Sequence, residues 1–129
     1  MKNYKLAQSE ARFADLIWQH EPISSGELVK LCEKEMGWKK STTYTVLKKL
    51  CEKGIFQNEN AVVSSRIKKD EFYAKQSRRF VEDIFGGSLP KFLTAFIGDK
   101  KLSNRQAEEL KKLIDEHKEG KIWKSCFLT

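Results

Sequence analysis

Residues 38–54 carry the clearest amphipathic pattern in the chain. At about 100° per residue, the angular step of an α-helix, the inward positions fall on one stripe: Thr43, Leu47 and Leu50. The opposite face carries small hydroxyls near its start and lysines further along. The pattern predicts a helix that begins between residues 40 and 42 and ends at Gly54, a residue suited to the left-handed helix terminus.

Two shorter helices are predicted before it. Ser9 is placed to cap a first helix that runs to about residue 20, where the Glu21–Pro22 bond interrupts it. Ile23 is placed to form a short strand. The sequence Ser24-x-x-Glu27 is a capping box, which predicts the start of a second helix.

The period of the pattern changes after Gly54. Residues 55–58 and 61–67 have strand-like sequences, and Glu59-Asn60 between them is predicted as the turn of a β-hairpin. Three helices followed by a hairpin form the winged helix-turn-helix arrangement, in which the third helix enters DNA and the hairpin is the wing. We therefore predict a winged helix domain over residues 1–70.

The second half of the chain is predicted to be helical throughout. Asp70 is placed to cap a long helix to Phe85, Ser88 a short helix, and Ser103 with Gln106 a last helix to about residue 118. Each helix carries apolar residues on its surface: Tyr73, Phe80, Ile84, Phe92, Leu93, Phe96, Leu110 and Ile114.

About 50 residues cannot bury so many large apolar side chains by themselves. A second copy of the chain would cover them, so residues 71–120 are predicted to be a dimerisation domain, followed by a tail over residues 121–129. The predicted fold class is mostly α with a small β-hairpin, in a winged helix-turn-helix domain and a C-terminal three-helix dimerisation domain.

The charge of the chain favours an anionic partner. Lys and Arg number 25 against 18 Asp and Glu, a formal net charge of +7. Residues 38–54 hold five lysines and one glutamate, so the excess is concentrated in the predicted third helix. An ordinary amphipathic helix with a solvated lysine face has the same pattern, and the helix alone does not separate the two interpretations.

Enzyme chemistry and metal binding are not expected. No nucleophile and base, paired carboxylates or glycine-rich phosphate loop stands at a usable spacing. Cys32, Cys51 and Cys126 form no disulfide framework, and Cys32 and Cys51 are expected to be small core residues. His20 and His117 are expected to be packed or terminal, so neither a metal nor a cofactor is predicted.

No membrane insertion is expected, because no run approaches the roughly 18 apolar residues that span a bilayer. The first residues also lack the apolar core and cleavage site of a secretory signal. We therefore expect a cytoplasmic protein.

From about residue 6 to residue 118 the chain resembles the BlaI/MecI penicillinase-repressor family, which includes CopY-type repressors. The resemblance rests on pieces in a shared order and spacing: Ile17-Trp18, Ser24-x-x-Glu27-Leu28, Trp38-x-x-Ser41-Thr42, Leu47-x-x-Leu50-x-x-Lys53-Gly54, Phe85-Gly86-Gly87-Ser88 and Leu102-Ser103. The family implies a homodimer that represses transcription by occluding a promoter. Its two recognition helices enter successive major grooves of a palindromic double-stranded operator.

The resemblance also assigns roles along the third helix. Base contacts are expected from its first half, at Ser41, Thr42, Tyr44 and Thr45. Backbone contacts are expected from Lys48 and Lys49, and Lys40 and Arg66 are also counted among the DNA-binding residues. The family often has arginine or lysine where this chain has Tyr44; tyrosine cannot contact guanine in a bidentate way, so a different operator is expected.

Two other positions depart from the family. The wing reads Gln57-Asn58-Glu59-Asn60 where a basic, glycine-containing turn is usual, which leaves Arg66 as the basic candidate on the hairpin. In antibiotic-responsive members a sensor-protease pathway leads to cutting of an Asn-Phe bond. The matching candidate cleavage bond here is Ala95–Phe96, without the asparagine. The tail has one cysteine instead of paired Cys-x-Cys motifs, so metal sensing by that route is not expected.

An alternative function is a winged-helix protein-interaction module without sequence-specific DNA binding. The acidic wing tip favours this alternative. Duplex affinity that falls steeply with salt would separate the two, because only a DNA-binding protein releases condensed counterions.

Overall fold

The computed structural model describes residues 6–119. Within this range lie six helices and three strands: α1 (Gln8–His20), β1 (Ile23–Ser24), α2 (Ser25–Met36), α3 (Lys40–Glu52), β2 (Phe56–Glu59), β3 (Val62–Ser65), α4 (Lys69–Phe85), α5 (Leu89–Ile97) and α6 (Asn104–His117). The predicted fold class, mostly α with a small hairpin, is confirmed. The predicted tail, with Cys126, lies outside the described residues.

Three of the five helix caps predicted from the sequence are present in the structure. The Ser24 hydroxyl accepts the Glu27 N–H at 3.1 Å, and Ser88 and Ser103 cap α5 and α6 in the same way. The predicted Ser9 cap is wrong: α1 begins at Gln8, after Ala7, whose N–H donates to the Glu10 carboxylate at 3.0 Å. Ser9 lies within the first turn of α1, and the Ala11 N–H, which a Ser9 cap would bind, donates to the Ala7 carbonyl at 2.8 Å.

The predicted Asp70 cap is also wrong. α4 begins at Lys69, after Lys68, and Asp70 lies within its first turn, where a negative charge still favours the helix dipole. The start is displaced because the Phe72 N–H donates to the Lys68 carbonyl at 2.9 Å, while the Phe72 side chain is completely buried.

The strands form one antiparallel sheet in the order β1-β3-β2. Glu59 pairs with Val62, so the hairpin turn is Asn60-Ala61 and the predicted Glu59-Asn60 turn is displaced by one residue. Both turn residues have positive φ, 54° and 62°, the pattern of a two-residue type I′ hairpin whose twist matches its strands. Ile23 pairs with Val63, which confirms the short first strand.

The chain divides into two compact units, the first ending at Gly87 and the second beginning at Ser88. The first contains α1 to α4 and a core of fully buried apolar side chains: Phe13, Ala14, Ile17, Leu28, Cys32, Leu50, Ile55, Val63 and Phe72. The second contains α5 and α6, and neither helix has a buried residue.

Large apolar side chains are exposed on the last three helices: Tyr73, Phe80 and Ile84 on α4, Leu89 and Phe96 on α5, and Leu113 and Ile114 on α6. Phe92, Leu93 and Leu110 are half-buried. Phe96 is the most open of these at 75% exposure. Single exposed apolar residues are ordinary, but two or more large ones on each helix are typical of surfaces that another molecule covers.

Candidate nucleic-acid interface

The face of α3 that points away from the core carries most of the predicted DNA-binding residues. Thr43, Leu47 and Leu50 are buried, as the helical pattern predicts. Six of the predicted contact residues are exposed on the same helix: Lys40, Ser41, Thr42, Thr45, Lys48 and Lys49. Within α3 the structure therefore brings together hydroxyls over the first two turns and a pair of lysines one turn later, a combination suited to base edges and phosphates.

Tyr44 is the exception on this helix. It is half-buried against the core, and its hydroxyl donates to the Ser25 Oγ at 3.2 Å. Ser25 is itself buried, and its backbone N–H donates to the Ala61 carbonyl in the wing turn at 2.8 Å. Ser25 thus joins α3 to the wing, and the Tyr44 hydroxyl that the sequence assigned to base contact has a partner inside the protein.

Lys49 also has an intramolecular partner. Its Nζ lies 2.7 Å from the Glu10 Oε2, and the Lys53 Nζ lies 3.9 Å from the other carboxylate oxygen. The hydrogen bond from Lys49 is the main cause of a lowered pKa for Glu10. Glu10 was not identified from the sequence as a partner of α3. Its position three residues before Phe13 places it on the buried stripe of α1, and a carboxylate on a buried stripe indicates a buried charge that needs a partner.

Thr45 and Lys48 complete the exposed face. The Thr45 hydroxyl donates to the Ser41 carbonyl at 2.9 Å, which leaves its oxygen lone pairs able to accept. Lys48 projects into solvent from the same side. Among residues 6–119, no hydrogen bond or ion pair joins either side chain to another element. Substituting Thr45 or Lys48 is therefore the clearest test of base or phosphate contact.

The wing is short, and hydrogen bonds to β1 and α2 hold it against the domain. β1 pairs with β3 as far as Val62, the residue that follows the turn, and the turn itself bonds to Ser25. The exposed tip residues are Asn58, Glu59, Asn60 and Ala61, none of them basic. Arg66 is exposed but lies past the end of β3, where its N–H donates to the Ile55 carbonyl at the base of the hairpin. The wing therefore carries its one positive charge at the base and a negative charge at the tip.

Glu21 holds the base of the wing. One carboxylate oxygen accepts the Ser65 N–H at 2.7 Å, and both accept from the Ser65 hydroxyl. Desolvation raises the pKa of Glu21, but the two hydrogen bonds from Ser65, with Lys68 nearby, outweigh it and the pKa is lowered. From the sequence, Glu21 is only the residue before a proline, and a contact over 44 residues has no local signal.

The two described cysteines lie in or against the core. Residues 6–119 contain no group of three metal-binding side chains. Cys32 is buried and Cys51 half-buried, as expected of core residues, and desolvation raises the pKa of both thiols, which disfavours the reactive thiolate. Over the same residues, every helix is too short or too polar to cross a membrane.

Comparison with known proteins agrees with this architecture. A family model described as penicillinase repressor matches residues 6–116. The penicillinase repressor of Bacillus licheniformis is 25% identical over 121 residues, which cover 91% of this chain and 94% of that protein. The penicillinase repressor of Staphylococcus aureus is 25% identical and a methicillin resistance regulatory protein MecI of the same species 21% identical, each over 119 residues and 89% of this chain. The chain belongs to the penicillinase repressor family, a family of DNA-binding transcriptional repressors and not of enzymes.

Proposed function

We propose that the chain is a homodimeric repressor that binds a palindromic operator, with α3 of each subunit in the major groove. The observation that carries the proposal is the exposed face of α3, where Thr42 and Thr45 stand beside Lys48 above a buried stripe. Hydroxyls can hydrogen-bond base edges and phosphates, and lysine neutralises phosphates. Ser41 and Lys40 begin the same face.

Lys49, Tyr44 and Arg66 are secondary in this proposal. Lys49 can approach a phosphate only in competition with Glu10, 2.7 Å away. Tyr44 would act mainly by supporting α3 through Ser25, and would reach a base only if it left that partner. Arg66, at the base of the hairpin, is assigned to the phosphate backbone and not to base recognition.

The dimer is proposed from the exposed apolar residues of α4, α5 and α6. Phe96, Ile84 and Ile114 are each more than half exposed. Burying such side chains contributes about 1.5–3 kcal/mol each, and a second copy supplies the same surface in return. Residues 71–120 would thus furnish the dimer contacts, and residues 1–70 the DNA-binding part.

The phosphate-binding role is tested with Lys48→Ala and a matched variant, Lys112→Ala, which removes the same charge from the exposed side of α6. Affinity for a random-sequence duplex is measured by fluorescence anisotropy over a range of salt. The negative slope of log K against log salt should become shallower by about 0.9 for each phosphate that the variant no longer neutralises, or by about 1.8 for a dimer. Lys112→Ala should leave the slope unchanged.

Base recognition is tested with Thr45→Val, which keeps the side-chain volume and removes the hydroxyl. Selection from a random duplex library should return a changed consensus for the variant. An unchanged consensus would contradict base contact by this face, and an unchanged salt slope for Lys48→Ala would contradict the placement of α3 on DNA.

The alternative function, a protein-interaction module, is favoured by the exposed Glu59 at the wing tip. Such a module should bind duplex weakly at every salt concentration. The same anisotropy titration therefore separates the two functions.

Cleavage of the Ala95–Phe96 bond through a sensor-protease pathway, which would relieve repression, remains a prediction. Both residues are exposed, but the bond lies inside α5, where its backbone is helical. A protease needs an extended substrate, so α5 would have to unfold locally before the bond could be cut.

A further inference from the structure

The start of α4 is built into the winged helix core. Phe72 is completely buried and belongs to the same core cluster as residues of α1, α2, α3 and the hairpin. The Trp18 ring of α1 lies 5.6 Å from the ring of Phe72, 6.0 Å from that of Tyr73 and 5.3 Å from that of Phe56, centroid to centroid. These contacts place an aromatic cluster under the first turn of α4.

Two polar contacts hold the same turn. The Trp18 Nε1 donates to the Ile67 carbonyl at 3.1 Å, in the three-residue connection between β3 and α4. The Lys69 Nζ lies 2.6 Å from the Asp15 carboxylate on α1. We call the set Asp15, Trp18, Ile67, Lys69 and Phe72 the α1–α4 joint.

The joint sets the direction in which α4 leaves the winged helix. α4 has 17 residues and is therefore about 25 Å long. Its far half carries the exposed Phe80 and Ile84, which belong to the proposed dimer surface. A rotation of about 10° at the joint would move the far end of α4 by about 4 Å, given that length.

We propose that the α1–α4 joint determines which spacing of operator half-sites the dimer accepts. The inference rests on the proposed function, since it requires a dimer on a palindrome. The joint residues act as positioning residues and do not touch DNA. One base pair of added spacing moves a half-site by about 3.4 Å along the duplex and rotates it by about 35°. The translation is similar to the movement of about 4 Å at the far end of α4, while the rotation of about 35° exceeds the rotation of about 10° at the joint. A rigid joint therefore selects one spacing, and a loosened joint tolerates spacings one base pair longer or shorter.

The test uses Lys69→Gln, which removes the ion pair between α1 and α4. Lys75→Gln is the matched control: it removes the same charge from the same helix, where Lys75 pairs with Glu71 of α4 itself at 3.4 Å. Trp18→Phe is the second variant, which keeps an aromatic ring and removes the indole N–H that binds the Ile67 carbonyl.

The probe is the palindromic duplex that the wild-type protein selects from a random library, with its half-site spacing lengthened or shortened by one base pair. The wild type should bind the selected spacing about tenfold more tightly than either neighbour, the discrimination expected of about one unfavourable base-pair change. Lys69→Gln and Trp18→Phe should reduce that ratio to about threefold or less. Lys75→Gln should keep the wild-type ratio.

The ratio separates positioning from a general loss of stability, because partial unfolding lowers the active fraction for all spacings equally. Equal ratios in Lys69→Gln, Lys75→Gln and the wild type would overturn the inference while leaving the proposed function intact. A wild-type selection that returns no paired half-sites would overturn the proposed function itself.

Discussion

A single small side chain, Ser25, decides how Tyr44 is used. The serine lies at the start of α2, and its Oγ accepts the Tyr44 hydroxyl while its N–H reaches the wing turn. A larger residue at this buried position would separate α3 from the turn. The phenol therefore supports α3 from behind, and in the proposed function base contact is assigned mainly to Ser41, Thr42 and Thr45.

The Tyr44–Ser25 contact predicts a measurable coupling. Tyr44→Phe and Ser25→Ala should each lower the free energy of unfolding by about 1 kcal/mol, the usual net contribution of a hydrogen bond. The double variant should cost about 1 kcal/mol less than the sum of the two, as measured in a double-mutant cycle by urea unfolding. Strictly additive costs would show that the two hydroxyls do not interact.

Glu10 predicts a pH-dependent stability. The Lys49 hydrogen bond lowers the pKa of the folded carboxylate, so this contact stabilises the protein above the ordinary pKa of an unfolded glutamate. The contribution is lost as the pH falls through the lowered folded value. Glu10→Gln should therefore cost about 1–2 kcal/mol at neutral pH and almost nothing in acid, as measured by thermal unfolding across pH.

Glu33→Gln is the control for Glu10→Gln, because Glu33 is exposed on α2 and the substitution removes the same charge. Its cost should be small and similar at both pH values. A cost for Glu10→Gln that persists unchanged into acid would contradict the ion pair with Lys49.

At the scale of the element, the wing turn contains a strained residue. Ala61 has a φ of 62°, a left-handed conformation that costs a residue with a Cβ about 1–2 kcal/mol. Asparagine tolerates this region, and Asn60 occupies the other central position with a φ of 54°. The hairpin is held in this form by the Ser25 N–H bond to the Ala61 carbonyl and by the β1–β3 pairing.

Ala61→Gly should therefore stabilise the protein by about 0.5–1 kcal/mol, since it converts the turn to the favoured Asn-Gly pair. Ala74→Gly is the control: Ala74 lies inside α4, where glycine costs about 1 kcal/mol relative to alanine. Urea unfolding of the two variants should give changes of opposite sign. A loss of stability in Ala61→Gly would contradict the strained turn.

The element boundaries show where local signals suffice. Ser24, Ser88 and Ser103 cap helices as predicted, because an N-cap depends on a hydroxyl and a backbone N–H three residues apart. Asp70 met the same local rule but is not the cap, because the Phe72 N–H that it would bind donates to the Lys68 carbonyl instead.

At the scale of the whole molecule, the exposed apolar residues of the last three helices predict self-association. Phe96→Asp should weaken the proposed dimer at least about thirtyfold, corresponding to about 2 kcal/mol for a central apolar contact. Sedimentation equilibrium measures the change. Asn104→Asp, an exposed substitution of the same charge at the start of α6, should leave the dimer intact. A Phe96→Asp protein that dimerises like the wild type would exclude this surface as the interface.

The order and type of the elements, the amphipathic faces and the concentration of lysines in α3 are all readable from the amino-acid sequence. Each of these depends on residues within one helix, one hairpin or one cap. Periodicity and side-chain chemistry over such short spans are enough to specify them. Family membership followed from the same pieces in their order.

Which of those residues have partners in another element depends on how the elements pack. The contacts of Lys49 with Glu10, Tyr44 with Ser25, Glu21 with Ser65 and Trp18 with Ile67 span 19 to 49 residues. No periodic pattern encodes such pairs, because each depends on how two separately formed elements pack. Packing thus separates the outward face of α3 into residues without a partner in another described element, such as Thr45 and Lys48, and residues that hold the helix in place, such as Tyr44 and Lys49.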